Sequence, residues 1–74
     1  MTLDELKQNE TAVIVDINDK ELENTLSTMG FCKGESVLLY KIAPLNDPLL
    51  ITSGLNYISI RKADAKNIII EKSN

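Results

Sequence analysis

Short apolar segments separated by turn signals constrain this chain more than any other feature of its sequence. Residues 11–17 are rich in β-branched side chains and end at the turn signal Asn18-Asp19, which predicts a first strand buried on both faces. Further segments of the same character predict the remaining strands: residues 37–42, 49–53, 56–60 and 67–71. As an open sheet, such short strands would expose unpaired edges, so the pattern favours a closed or nearly closed small barrel.

One stretch changes to the period of a helix. Leu22, Leu26 and Met29 recur at i, i+4 and i+7 between polar residues, which predicts one amphipathic helix after the first strand. Asn18 lies three residues before Glu21, and this spacing predicts a capping box at the helix N-terminus.

Two shorter signals concern the end of this helix and a turn near the end of the chain. Gly30 is predicted to adopt the left-handed conformation that ends a helix, with Phe31 folding back onto Leu26. Residues 61–66 are too few for a free-standing helix and predict one helical turn, with Ala65 facing inward. The predicted fold class is mainly β: a small barrel of about five strands, with one α-helix after the first strand and a short helical turn before the last.

The length of the chain allows one modest core. Its 74 residues can bury only about 60% of the surface that the unfolded chain exposes, which predicts a single domain over residues 1–74. The single cysteine, Cys32, has no partner for an internal disulfide, which favours a reducing, cytoplasmic location. The apolar runs fall far short of the roughly 18 residues that a membrane span needs, so we expect no direct membrane insertion.

Charge and residue types argue against most catalytic and nucleic-acid functions. The formal net charge is −3 and no stretch concentrates the basic residues, so we expect no nucleic-acid partner. The sequence contains no histidine, and Cys32 has no second cysteine with which to form a metal or redox pair. The three glycines are dispersed at turns and form no phosphate-binding loop. We therefore expect no enzyme activity, no cofactor and no metal site.

Two prolines bracket the connection after the second predicted strand. Because proline lacks an amide donor and restrains its predecessor, the segment Ala43-Pro44-Leu45-Asn46-Asp47-Pro48 cannot form an uninterrupted central strand. It is predicted to be a rigid connection. Within it, we expect Asp47 to cap the backbone of its own loop and not to bind a metal ion.

Three groups of residues carry a family likeness that spans residues 3–71: Leu26-(x)2-Met29-Gly30-Phe31-(x)2-Gly34, Ala43-Pro44-Leu45-(x)-Asp47-Pro48 and Ile58-(x)-Ile60-Arg61-(x)3-Ala65-(x)2-Ile68. In this order and spacing they resemble the pattern of the ferrous-iron-transport protein A (FeoA) family. Asn9 stands where the family often has a glycine, which implies a turn conformation there. Thr25 stands where an arginine commonly precedes the helix leucine.

The resemblance implies an SH3-like barrel that serves as a non-catalytic cytosolic accessory protein of ferrous-iron uptake. Its partner would be the large membrane ferrous-iron transporter, which this protein binds and regulates at a cytosolic domain. The candidate partner-binding residues are the proline-bracketed loop and one arginine: Pro44, Leu45, Asn46, Asp47, Pro48 and Arg61.

Structural and functional alternatives to this hypothesis remain open. The prolines alternatively shape a barrel corner, and Arg61 alternatively holds adjacent carbonyl groups. A different class of function is a general peptide-binding SH3-like adaptor unrelated to iron. Grooves that bind proline-rich peptides are lined with aromatic side chains, and here only Phe31, Tyr40 and Tyr57 are available. Direct carriage of iron would need ligands that the sequence barely contains.

Overall fold

The structure, a computed structural model, describes residues 1–73. The strands are β1 (Thr11–Ile17), β2 (Ser36–Ile42), β3 (Leu49–Ser53), β4 (Asn56–Ile60) and β5 (Ile68–Lys72). The helices are α1 (Lys20–Thr28) and α2 (Lys62–Ala65), and two short 3₁₀ turns span Leu3–Glu5 and Pro44–Asn46. The predicted class is confirmed: mainly β, with a helix after the first strand and a helical turn before the last.

The strands form one antiparallel sheet in the order β4-β3-β2-β1-β5. The pairing register shifts between Ile14 and Asp16 on β1, and between Leu39 and Lys41 on β2. Such irregularities bend a strand and increase its twist. The bends occur on neighbouring strands, so the sheet curls into a barrel around one apolar interior.

One alternating set of side chains from each strand lines this interior. The buried apolar residues are Leu3, Leu6, Ala12, Ile14, Ile17, Leu26, Phe31, Val37, Leu39, Leu49, Ile51, Ile60, Ala65, Ile68 and Ile70. The predicted inward positions of Leu49, Ile51 and Ile60 are confirmed, and Ile58 packs partly buried against them. The prediction that β1 is buried on both faces is wrong: Val15 is 48% exposed, because the barrel wall is one layer thick and its outer face meets solvent.

The N-terminal cap of α1 is Asp19, and the predicted cap at Asn18 is wrong. Asp19 has extended backbone angles, and its carboxylate accepts a hydrogen bond from the Leu22 amide at 3.0 Å. The Asn18 amide donates to the Asn67 carbonyl at 2.8 Å, so Asn18 still follows the sheet. Asp19 is therefore the first residue free to cap the helix, which begins at Lys20.

Gly30 ends α1 as predicted. Its φ is +86°, and its amide donates to the Ser27 carbonyl at 3.1 Å. The Phe31 amide donates to the Leu26 carbonyl at 2.9 Å, which completes the pair of bonds of a Schellman motif. Both Phe31 and Leu26 are buried, so the turn that stops the helix also directs the phenyl ring into the interior.

The segment before β1 is attached to the barrel by hydrogen bonds and an ion pair. Asn9 has the turn conformation that the family pattern implied, with φ +71°, and its amide donates to the Leu39 carbonyl at 2.7 Å. Lys72 Nζ lies 2.6 Å from Glu10 Oε2. The hydrogen bond from Lys72, together with one from the Lys7 amide, holds the pKa of Glu10 below its ordinary value.

Replacing Gly30 with alanine should lower the free energy of unfolding by about 1–2 kcal/mol, because a left-handed conformation costs that much once a Cβ is present. The new Cβ would also lie 2.9 Å from Nδ2 of Asn56. Gly34→Ala is the matched control: Gly34 has φ +91°, but no heavy atom lies within 4 Å of an added Cβ. Urea unfolding followed by circular dichroism measures both losses. We expect the larger loss for Gly30→Ala, and equal losses would show that the Asn56 contact contributes nothing.

Candidate interaction surface

The connection between β2 and β3 is a compact turn fixed at its base. The Asn46 amide donates to the Ala43 carbonyl at 2.9 Å within the 3₁₀ turn Pro44–Asn46. The Ala43 amide donates to the Pro48 carbonyl at 3.0 Å, and the Asp47–Pro48 peptide bond is cis. The predicted interruption of the sheet by this segment is confirmed.

Leu45 is the most exposed apolar residue of this loop. It is 96% exposed and has φ +69°, and the following residue, Asn46, has φ +66°. The left-handed conformation costs a residue with a Cβ roughly 1–2 kcal/mol, and asparagine tolerates it better than leucine does. A solvated leucine in this conformation adds nothing to the core. Backbone strain of this kind is concentrated at functional sites in proteins.

Asp47 does not cap its own loop, and that prediction is wrong. Its Oδ1 accepts a hydrogen bond from the backbone amide of Lys62 at 3.0 Å. Lys62 is the first residue of α2, and the residue at the N-cap position, Arg61, provides no side-chain cap. Asp47 therefore caps a helix that begins fifteen positions later in the chain.

Arg61 does not hold neighbouring carbonyls, so that alternative is also wrong. Its Nη2 lies 3.5 Å from Oδ2 of Asp64, and its side chain is 79% exposed. In the part of the chain that the structure describes, it makes no hydrogen bond to a carbonyl oxygen. Because Asp47 is bonded to the next residue, Lys62, the structure brings the proline-bracketed loop and Arg61 together.

A groove between α1 and β4 adjoins these residues. Its charged part, a cavity of about 240 Å³, is lined by Asp19, Glu21, Leu22, Thr25, Arg61 and Asp64. Its apolar part, about 230 Å³, continues along the strand and is lined in addition by Leu26, Met29, Ile58, Ser59 and Ile60. The groove was not predicted from the sequence. The best sign of the groove is Met29, because this residue continues the apolar face of the helix and yet remains half-exposed.

Two tyrosines lie together on the outer face of the sheet. The ring centroids of Tyr40 and Tyr57 are 5.9 Å apart and the rings are at 85°, an edge-to-face arrangement. Thr52 of β3 is the cross-strand partner of Tyr57. Because the edge of one ring contacts the face of the other, the two rings do not form the parallel walls of a slot that could hold a proline ring.

Residues 1–73 contain neither a grouped set of metal ligands nor a membrane-spanning helix. No three His, Cys, Asp or Glu side chains are grouped there so that they could hold a metal ion. Over the same residues, no helix combines the length and the apolar character needed to cross a membrane. Cys32 is half-buried, with the Ser27 hydroxyl 3.5 Å from its sulfur.

The curled antiparallel sheet, with a helix after its first strand and a helical turn before its last, defines a small SH3-like barrel domain. Over residues 1–72 the sequence matches the FeoA domain family. The chain belongs to this family.

Similar proteins agree with this assignment. A Campylobacter jejuni protein provisionally named Fe(2+) transport protein A is 33% identical over 69 residues, which are 92% of this chain and 93% of that protein. FeoA of Stenotrophomonas maltophilia, solved with zinc and described as a procaryotic SH3 domain protein, has a TM-score of 0.80 and 30% identity, covering 96% of this chain and 89% of that chain. The FeoA protein of Chlorobium tepidum has a TM-score of 0.94 over 100% of this chain and 71% of that one. Its 23% identity supports the fold alone. The SH3-like barrel that the resemblance implied is confirmed.

Replacing Asp47 with alanine should lower the free energy of unfolding by about 1 kcal/mol, because the first amide of α2 loses its acceptor. Asp47→Asn keeps an acceptor oxygen at the same position and should lose less. Urea unfolding of the three proteins measures the difference, and hydrogen exchange of the Lys62 amide locates it. Equal stability of all three proteins, with unchanged exchange at Lys62, would contradict the capping role.

Proposed function

We propose that this chain, as one domain over residues 1–74, is a non-catalytic cytoplasmic accessory protein of ferrous-iron uptake. In this proposal it binds and regulates a cytosolic domain of the membrane ferrous-iron transporter. Membership of the FeoA family supports the role, as does the name of the C. jejuni relative. The S. maltophilia protein is itself described as a candidate activating factor for ferrous iron transport.

The observation that carries the proposal is the exposed leucine in the left-handed conformation. Leu45 is 96% exposed, although removal of an apolar side chain from water lowers the free energy of the system. Apolar side chains that are buried at the centre of an interface supply much of its binding energy. A rigid loop also loses little conformational freedom on binding. Leu45 therefore has the properties expected of an anchor that enters a pocket on a partner.

The hydrogen bond that the Lys62 amide donates to Asp47 supports the grouping of Leu45 with Arg61 in one surface. It fixes the loop beside α2, so the apolar and the basic side chain are presented by one rigid unit. The Arg61 guanidinium is only loosely paired, at 3.5 Å from Asp64, and remains accessible to a carboxylate on the partner. The proposed pocket is thus apolar, with an acidic group at its margin.

The alternative, a general adaptor for proline-rich peptides, has weaker support. Tyr40 and Tyr57 do lie side by side on the outer face. Their edge-to-face contact, however, leaves no slot between the rings, and Phe31 is buried in the core. A peptide array that showed tight binding of proline motifs, lost in Tyr57→Ala, would favour the adaptor over the transporter partner.

Pull-down of the transporter's cytosolic domain tests the proposal. Wild-type protein should recover the domain, and Leu45→Asp should reduce recovery by at least about tenfold, because it places a charge in an apolar contact. Leu55→Asp is the matched control. Leu55 is also 96% exposed, but it lies in the β3–β4 turn, at the opposite end of β3.

Each outcome of this experiment has a distinct meaning. No recovery by the wild type would overturn the proposed partner. Equal recovery by wild type and Leu45→Asp would remove the loop from the proposed surface. Equal loss in Leu45→Asp and Leu55→Asp would show a general effect of added charge and would also count against the loop.

A further inference from the structure

We propose that the free edge of β4 is a docking site for an extended segment of another polypeptide, which adds to the sheet as an antiparallel strand. This segment carries apolar side chains and has a basic residue at its amino end. The proposal concerns the groove between α1 and β4, and it holds independently of the transporter as partner.

The two edges of the sheet differ in what covers them. At the β5 edge, the Ile70 amide donates to the Met1 carbonyl at 2.8 Å, and Thr2 forms a bridge with Ile69. The N-terminal residues therefore cover Ile69 and Ile70 of that edge. Within residues 1–73, β4 pairs with β3 alone and makes no backbone hydrogen bond outside that ladder.

The sequence of β4 lacks the usual protections of an exposed edge. Natural edge strands commonly carry lysine, proline or a bulge, and each of these discourages the addition of another strand. Asn56–Ile60 contains neither lysine nor proline. Its register with β3 is continuous from Ser53↔Asn56 to Leu49↔Ile60, without a bulge. The edge is therefore uninterrupted by a bulge and able to accept a further antiparallel strand.

The turn between β3 and β4 determines which backbone groups of β4 point outward. Its two residues, Gly54 and Leu55, make Ser53 and Asn56 the hydrogen-bonded closing pair of the hairpin. Hydrogen-bonded and non-hydrogen-bonded pairs alternate along an antiparallel ladder. The amide and carbonyl groups of Tyr57 and Ser59 therefore point away from β3, toward the free edge.

The groove follows this edge, not one face of the strand. Ile58, Ser59 and Ile60 are consecutive and so project to alternating faces, yet all of them line the groove. The opposite wall is provided by α1 through Leu26 and Met29. A strand that entered the groove would therefore meet backbone partners on one side and apolar side chains on the other.

The charged end of the groove determines the direction of the added strand. Asp19, Glu21 and Asp64 line this end with a single cation, Arg61, which is paired with Asp64. The carboxylates of Asp19 and Glu21 have no cation beside them among the lining residues. A basic side chain on the added strand would therefore complement the negative charge at this end. Arg61 directly follows β4, so the charged end lies at the carboxyl end of that strand. An antiparallel neighbour begins there, which places the basic residue at its amino end.

The probe is a short acetylated and amidated peptide with one lysine at its amino end, followed by alternating valine and threonine. In a titration of ¹⁵N-labelled protein, we expect the largest shift changes at the amides of Tyr57 and Ser59. Ser59→Pro should weaken binding by at least about fivefold, because it removes an outward donor, whereas Ser59→Ala keeps the amide and should stay within about twofold. Proline is tolerated where an edge amide faces away from the sheet.

Methylation of the peptide amides tests the same contact on the wild-type protein, in case Ser59→Pro does not fold. Methyl groups on the amides that face β4 should abolish binding, and methyl groups on the alternate amides should leave it unchanged. Three results would overturn the proposal. The two methylation patterns would have equal effects, or Ser59→Pro and Ser59→Ala would bind the peptide equally well, or binding would not saturate at millimolar peptide. Tighter binding of a peptide with lysine at its carboxyl end would overturn the stated direction. A dimer of this chain that Ser59→Pro dissolves would assign the edge to a second copy instead.

Discussion

The pairing of β1 with β5 joins the two ends of the chain, and the positions of most other elements depend on it. Closing so long a loop costs conformational entropy, although this cost rises only slowly with loop length. The pairing buries Ile14, Ile68 and Ile70 in the interior of the barrel. Burial of apolar surface stabilises the fold by about 25 cal/mol for each Å² and so offsets the cost of closing the loop. The hydrogen bond between Asn18 and Asn67 extends the pairing and sets the start of the helix. The helical turn before β5 is thereby held beside the proline-bracketed loop.

The hydrogen bond that the Lys62 amide donates to Asp47 connects the core to the candidate surface. One carboxylate satisfies the end of a helix and also fixes the loop that carries Leu45. The loop is therefore part of the same folded unit as β4 and α2, although it contains no buried side chain within its 3₁₀ turn. A surface of this kind is organised before a partner arrives, which reduces the ordering cost of association.

Local sequence signals were sufficient for most of the fold. Strand positions followed from β-branched alternation, and the end of α1 followed from Gly30 and Phe31, because each of these signals acts over a few residues. The helix cap was assigned to the wrong residue, since Asn18 and Asp19 are both good caps and a distant contact with Asn67 decides between them.

The candidate surface could be predicted only in part. The prolines and the family pattern predict the loop and Arg61 as partner-binding residues, and this assignment stays a prediction. The hydrogen bond of Asp47 links residues too far apart for any local signal. The left-handed backbone of Leu45 goes against the preference of leucine. The groove beside β4 arises only when the sheet curls and α1 comes to lie opposite the free edge of β4.

The covering of the β5 edge by the N-terminal residues limits how this sheet can grow. A sheet with two open edges can add subunits indefinitely, which leads to fibres. Here Met1 and Thr2 cover Ile69 and Ile70 of β5, so within residues 1–73 the edge strand without such a cover is β4. Two copies of this chain that paired through β4 would consume the uncovered edge of each, so such pairing yields a dimer and leaves no second open edge for a filament.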